Sequence, residues 1–100
     1  MKDNQALIVV DVQKDFLETG ALPVKEGSQV VPVINRIIPK FKNVVFTQDW
    51  HPQGHISFAS SHPGIAPYST IDVSYGKQVL WPEHCVQNTS GAEFAEGLNT

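Results

Sequence analysis

Ala6-Leu7-Ile8-Val9-Val10-Asp11 is the stretch that decides the fold. It is an unbroken apolar run, β-branched in its second half, with no polar alternation. A strand of this composition needs cover on both faces, which is the habit of a parallel sheet inside an α/β fold. The run ends on a carboxylate, Asp11, at the C-terminal end of the strand, and ligands of open α/β sheets gather at that end.

Working outward, Phe16 to Glu26 is punctuated by Gly20, Pro23 and Gly27 and reads as a loop. Ser28 is placed to cap a helix from about Val30 to Phe41, with Val30, Val33, Ile34, Ile37, Ile38 and Phe41 on its buried face. Pro32 suits the first turn of that helix. Pro39 does not suit its interior, so the last turn is expected to break or kink. Lys42-Asn43 turns the chain into a second strand, Val44 to Thr47. With a right-handed crossover the two strands are parallel neighbours. Residues 52–92 hold four of the seven prolines and no sustained period, so a long functional loop region is expected there. A short helix can open near Ser90-Gly91-Ala92-Glu93-Phe94. Two strands and one helix cannot cover both faces of a parallel sheet, so these residues are expected to be a piece of a larger domain or one half of a split one.

Composition narrows the function classes. The length of 100 residues and 41% hydrophobic content suit one small domain with a core. A net charge of −3 with no basic cluster argues against nucleic acid as a partner. The apolar runs are too short to span a bilayer, and Met1-Lys2-Asp3-Asn4-Gln5 does not open a signal peptide. The single cysteine, Cys85, allows no internal disulfide and fits a reducing, cytoplasmic setting.

The second strand runs directly into Thr47-Gln48-Asp49-Trp50-His51-Pro52-Gln53-Gly54-His55. Asp49 and His51 are two apart, so an extended backbone points both to one face. Two imidazoles and a carboxylate form a recurrent set of ligands for a divalent transition metal, here Zn, Fe or Mn. A loop through Pro52 and Gly54 must carry His55 back toward Asp49. His84, in Trp81-Pro82-Glu83-His84-Cys85, is the fourth candidate. Together these residues read as a mononuclear metal site in a hydrolytic enzyme. Asp11 either caps a turn or accepts a proton beside a nucleophile. Phe16 and Trp81 are core residues or rings that stack on a flat substrate. Cys85 reads as structural. On an extended backbone it points away from the side of His84, and no cation lies near it in sequence, Lys77 being the closest.

Leu7 to Phe16, Gly20-Ala21-Leu22-Pro23-Val24, Thr47 to Pro52 and Trp81 to Asn88 together resemble the nicotinamidase/pyrazinamidase branch of the isochorismatase-related cysteine hydrolases, from about residue 6 to residue 94. The resemblance implies a three-layer α/β/α fold around a parallel sheet. It implies hydrolysis of nicotinamide, and of pyrazinamide, to the acid and ammonia through a cysteine thioester. It makes Asp49, His51, His55 and His84 the metal ligands, with waters completing the shell. Asp11 becomes the acidic member of an Asp-Lys-Cys triad, Phe16 and Trp81 flank the pyridine ring, and Gln13 belongs to the polar surroundings of the site. The family's catalytic lysine and cysteine lie further downstream; Lys40, Lys42, Lys77 and Cys85 do not match them. Residues 1–100 are therefore expected to be the N-terminal part of one hydrolase domain. The implied partner is small-molecule nicotinamide, without nucleic acid or membrane, in a homo-oligomer or beside a complementing C-terminal half. The competing readings are a non-catalytic metal-binding fragment and a metal-free hydrolase of the same fold, the latter opposed by the intact ligand set.

Overall fold

A computed structural model describes residues 4–100. Strand β1 (Ala6–Val9) pairs in parallel with β2 (Asn43–Phe46), with Ile8 opposite Val45 and Val9 opposite Phe46. Each strand differs from the expected span by a residue: Val10 leaves the ladder, and Asn43 joins it in place of Thr47. Helix α1 (Val30–Ile37) makes the crossover. Its regular part stops before Pro39, and Ile38–Lys40 tightens into a 3-10 turn, as the proline requires.

Two details of the helix differ from expectation. Ser28 does not cap it; the cap position is Gln29, which contributes no side-chain bond. Ser28 donates its hydroxyl to Glu18 Oε2 at 2.6 Å and its N–H to Glu18 Oε1 at 2.9 Å, so it ties down the preceding loop instead. The buried face is also turned. Val31 is buried, whereas Val30 and Val33 are 44% and 46% exposed. Val31 packs with Ala95 and Leu98 over Ile34, Phe46 and Phe94, so the C-terminal segment determines which side of α1 is covered.

The sheet is covered on one face. Val9 is buried on the side that carries Phe46, while Ile8, Val10 and Val45 on the other face are 59%, 64% and 52% exposed. The unbroken apolar run of β1 is thus covered on one side only among the described residues.

Residues 52–92 are more regular than their composition suggests. Strands β3 (Thr70–Val73) and β4 (Gly76–Val79) form an antiparallel hairpin, with Val73 opposite Gly76. Thr70-Ile71-Asp72-Val73 does alternate polar and apolar residues, a two-residue period hidden by the prolines around it. Gly76 sits at φ +125, a conformation closed to other residues. Leu80, just past the hairpin, is fully buried. Ser90–Ala92 forms a single 3-10 turn rather than opening an α-helix.

Candidate metal centre

The site is assembled where β1 and β2 end. Asp11 leaves β1 with φ +54, a left-handed conformation that aspartate tolerates better than most residues. Its N–H reaches Thr47 Oγ1 at 3.0 Å, and the Thr47 hydroxyl donates back to Asp11 Oδ1 at 2.6 Å. The carboxylate is therefore fixed to the end of β2. Two residues on, Gln13 is completely buried. Its Nε2 donates to Asp49 O at 2.9 Å and to Ala92 O at 2.8 Å, and its Oε1 accepts the Asp49 N–H at 2.8 Å. One amide side chain thus grips both backbone groups of Asp49.

Asp49, His51 and His84 each offer a ligand atom, and these atoms lie within 4.8 Å of one another. A short parallel bridge makes this possible: His51 N–H donates to Cys85 O and Gln87 N–H to His51 O, both at 2.8 Å, setting His51 beside Val86. The histidines are also oriented. His51 Nδ1 lies 3.1 Å from His84 O, and His84 Nδ1 lies 2.8 Å from Pro82 O. A carbonyl only accepts, so each Nδ1 carries the proton and each Nε2 keeps a lone pair for a cation. Two imidazole nitrogens and a carboxylate, held this way, fit a divalent transition metal.

His55 differs. Its ring centroid is 5.1 Å from that of His51, yet it stands outside the 4.8 Å cluster. Ser57 N–H donates to His55 Nδ1 at 3.1 Å, which places the proton of the neutral ring on Nε2. Ser57 Oγ lies 2.7 Å from the same nitrogen, and a proton on Nδ1 donated to that hydroxyl leaves Nε2 with a lone pair instead.

Phe58 went unnoticed in the sequence. It is fully buried, and its ring stands 5.2 Å from His51, 5.9 Å from His55 and 5.6 Å from His84, edge-on to each. It forms the floor of the site. Nothing in Ile56-Ser57-Phe58-Ala59 marks it in sequence, because no period runs through that segment. Phe16 also reaches the site, 5.6 Å from the His84 ring. Trp81 makes an edge contact with Tyr68 at 6.0 Å, and its backbone is bridged to Phe58. Cys85 is buried, and burial first, then the charges of Asp15, Asp49 and Asp11, push its thiol up to about 12. A thiol kept neutral in this way is a poor nucleophile, although Cys85 lies at φ +48 and not on the extended backbone expected for it.

Asp11, Gln13 and Phe16 also line an apolar groove of about 470 Å³ between β1 and α1, with Val10, Ile34 and Ile37 among its walls. Its lining does not include Asp49, His51 or His84.

The parallel strands, the crossover helix and the ligand cluster at the strand ends define an α/β domain with a candidate two-histidine, one-carboxylate metal centre. The chain belongs to the isochorismatase family: the isochorismatase domain model matches residues 5–100. It is 53% identical over 97 residues to the nicotinamidase of Acinetobacter baylyi, covering 97% of this chain and 45% of that protein. The structure of an Acinetobacter baumanii nicotinamidase/pyrazinamidase superposes with a TM-score of 0.96 at 52% identity, over 100% of this chain and 48% of that one. The pyrazinamidase of Pyrococcus horikoshii, solved in complex with zinc, gives 0.72 at 46% identity over 94% of this chain and 46% of that one. The chain spans about half the length of the relatives it matches.

Proposed function

We propose that residues 1–100 are the N-terminal part of a single hydrolase domain that converts nicotinamide, and its analogue pyrazinamide, to the acid and ammonia. The observation that carries this reading is the convergence of Asp49, His51 and His84 within 4.8 Å at the strand ends, in a chain 53% identical to a nicotinamidase. Asp49, His51 and His84 hold one divalent ion, Zn, Fe or Mn. His55 joins them when its ring proton moves to Nδ1 and is donated to Ser57 Oγ, 2.7 Å away. When bound, the ion supplies a positive charge that orients the ring nitrogen of the substrate.

The protein groups do the rest. Phe16 and Trp81 close on the pyridine ring, and Gln13 keeps Asp49 in place. Asp11, in the lining of the groove, takes up the proton released as a cysteine thiolate forms. That cysteine and a partnering lysine are supplied by residues beyond this segment, since Cys85 is buried and neutral. The thiolate adds to the carboxamide carbon, the C–N bond breaks with proton return to the leaving ammonia, and water then cleaves the thioester to the carboxylate. Ammonia release from nicotinamide by the full-length polypeptide tests the reading. Asp11→Ala is expected to lower turnover by roughly 10⁴-fold, the scale for an acidic triad member, with metal content unchanged. A full-length protein that binds the ion but leaves nicotinamide intact overturns the assignment.

A further inference from the structure

We infer that Asp15 is a positioning residue for the metal centre, acting through the single peptide unit that joins His84 to Cys85. The inference rests on the reading of Asp49, His51 and His84 as metal ligands. That peptide unit has two ends with two duties. Its oxygen, His84 O, accepts from His51 Nδ1 at 3.1 Å and so sets the proton position of one ligand. Its N–H, that of Cys85, donates to Asp15 Oδ2 at 2.8 Å. The same unit carries the His84 side chain on its other flank, so its tilt fixes both imidazoles at once.

The peptide is held in a costly conformation. Cys85 has φ +48, in the left-handed region that a non-glycine residue adopts only under constraint. The constraints are the Asp15 carboxylate on its N–H and His51 N–H on its carbonyl at 2.8 Å. A carboxylate at one end of a peptide also polarises the other end and strengthens the acceptor facing His51.

Asp15 is itself built in. Its Oδ1 accepts Ala21 N–H at 3.2 Å, and its backbone oxygen accepts Leu22 N–H at 2.9 Å. Two glycines make room for it: a Cβ at Gly91 would collide with the Asp15 carboxylate, and one at Gly20 with the Asp15 backbone. Asp15 therefore ties the loop after β1 to the loop that carries His84.

The test is cobalt(II) affinity of the full-length polypeptide, read by titration and by the visible ligand-field spectrum, with thermal melting to confirm folding. Asp15→Ala is expected to weaken cobalt binding about 10- to 100-fold, the usual scale for groups behind a metal ligand, and to alter the spectrum. Asp15→Asn keeps an acceptor oxygen and should regain most of the affinity. Asp15→Ala with Cys85→Gly should also regain part of it, because glycine takes a positive φ without help. If Asp15→Ala does not fold, Gly91→Ala displaces the carboxylate while keeping it in the chain, and the same fall is expected. A folded Asp15→Ala or Gly91→Ala variant with the affinity and spectrum of the wild type overturns the positioning role. A wild-type protein that binds no cobalt overturns the metal site itself.

Discussion

The strand ends and the open face of the sheet are built from the same two strands, yet they differ in how complete they are. At the strand ends, Gln13, Phe58 and Cys85 are fully buried, and no buried side-chain nitrogen or oxygen among the described residues lacks a partner. On the open face, Ile8, Val10 and Val45 stand 52–64% exposed in a row. Polar positioning of the candidate ligands is satisfied locally, by hydrogen bonds from the loops after β1, β2 and β4. Apolar cover of a parallel sheet is not, because it takes whole elements on both sides. The candidate ligand cluster can therefore be arranged within a segment whose core is only half enclosed.

The largest effect expected from this contrast is on the isolated segment. Residues 1–100 alone should melt without a sharp transition, bind a hydrophobic dye and release no ammonia from nicotinamide, since exposed apolar surface and backbone entropy work against a small core. Co-expression with a C-terminal half should restore a cooperative melt and turnover together. Robust turnover by the isolated segment would break the contrast, because the catalytic groups would then all lie within it.

A smaller but still large loss is expected at the floor of the site. Phe58→Ala in the full-length polypeptide should cost about 3–5 kcal/mol of stability, as for a buried aromatic ring, and should weaken metal binding as well. Phe58→Leu should keep more of both. Equal stability of Phe58→Ala and wild type in urea unfolding would show that the three histidines do not depend on that ring.

The smallest effect is expected at Cys85. Cys85→Ser should keep most of the turnover and melt within a few degrees of wild type, because the thiol is neutral and buried. Loss of activity with fold and metal content intact would make Cys85 the nucleophile.

The sequence conveyed the site better than the frame around it. The run Leu7–Val10 announced a parallel strand, and Asp49 and His51 announced their convergence, because a two-residue period on extended backbone needs no distant contact to be read. Pro39 announced the end of α1 for an equally local reason. Which face of α1 is buried was not legible, since Ala95 and Leu98 decide it from the far end of the chain. The β3–β4 hairpin was hidden by the prolines and glycines around it. Asp15 was missed because its partner, the Cys85 N–H, is far off in sequence, and Phe58 because no period marks it, although His51 and His55 are among its ring neighbours. His55 looked equivalent to His51 by residue type. What differs is the partner of Nδ1: a backbone carbonyl for His51, and the N–H and hydroxyl of Ser57 for His55.

The central claim is that Asp49, His51 and His84 hold a metal ion, and the most direct measurement is the metal content of the purified full-length polypeptide and of its His51→Ala, His84→Ala double variant. About one divalent transition-metal ion per chain is expected in the wild type, as for a mononuclear site, and almost none in a folded double variant. Full occupancy in that double variant would contradict the claim.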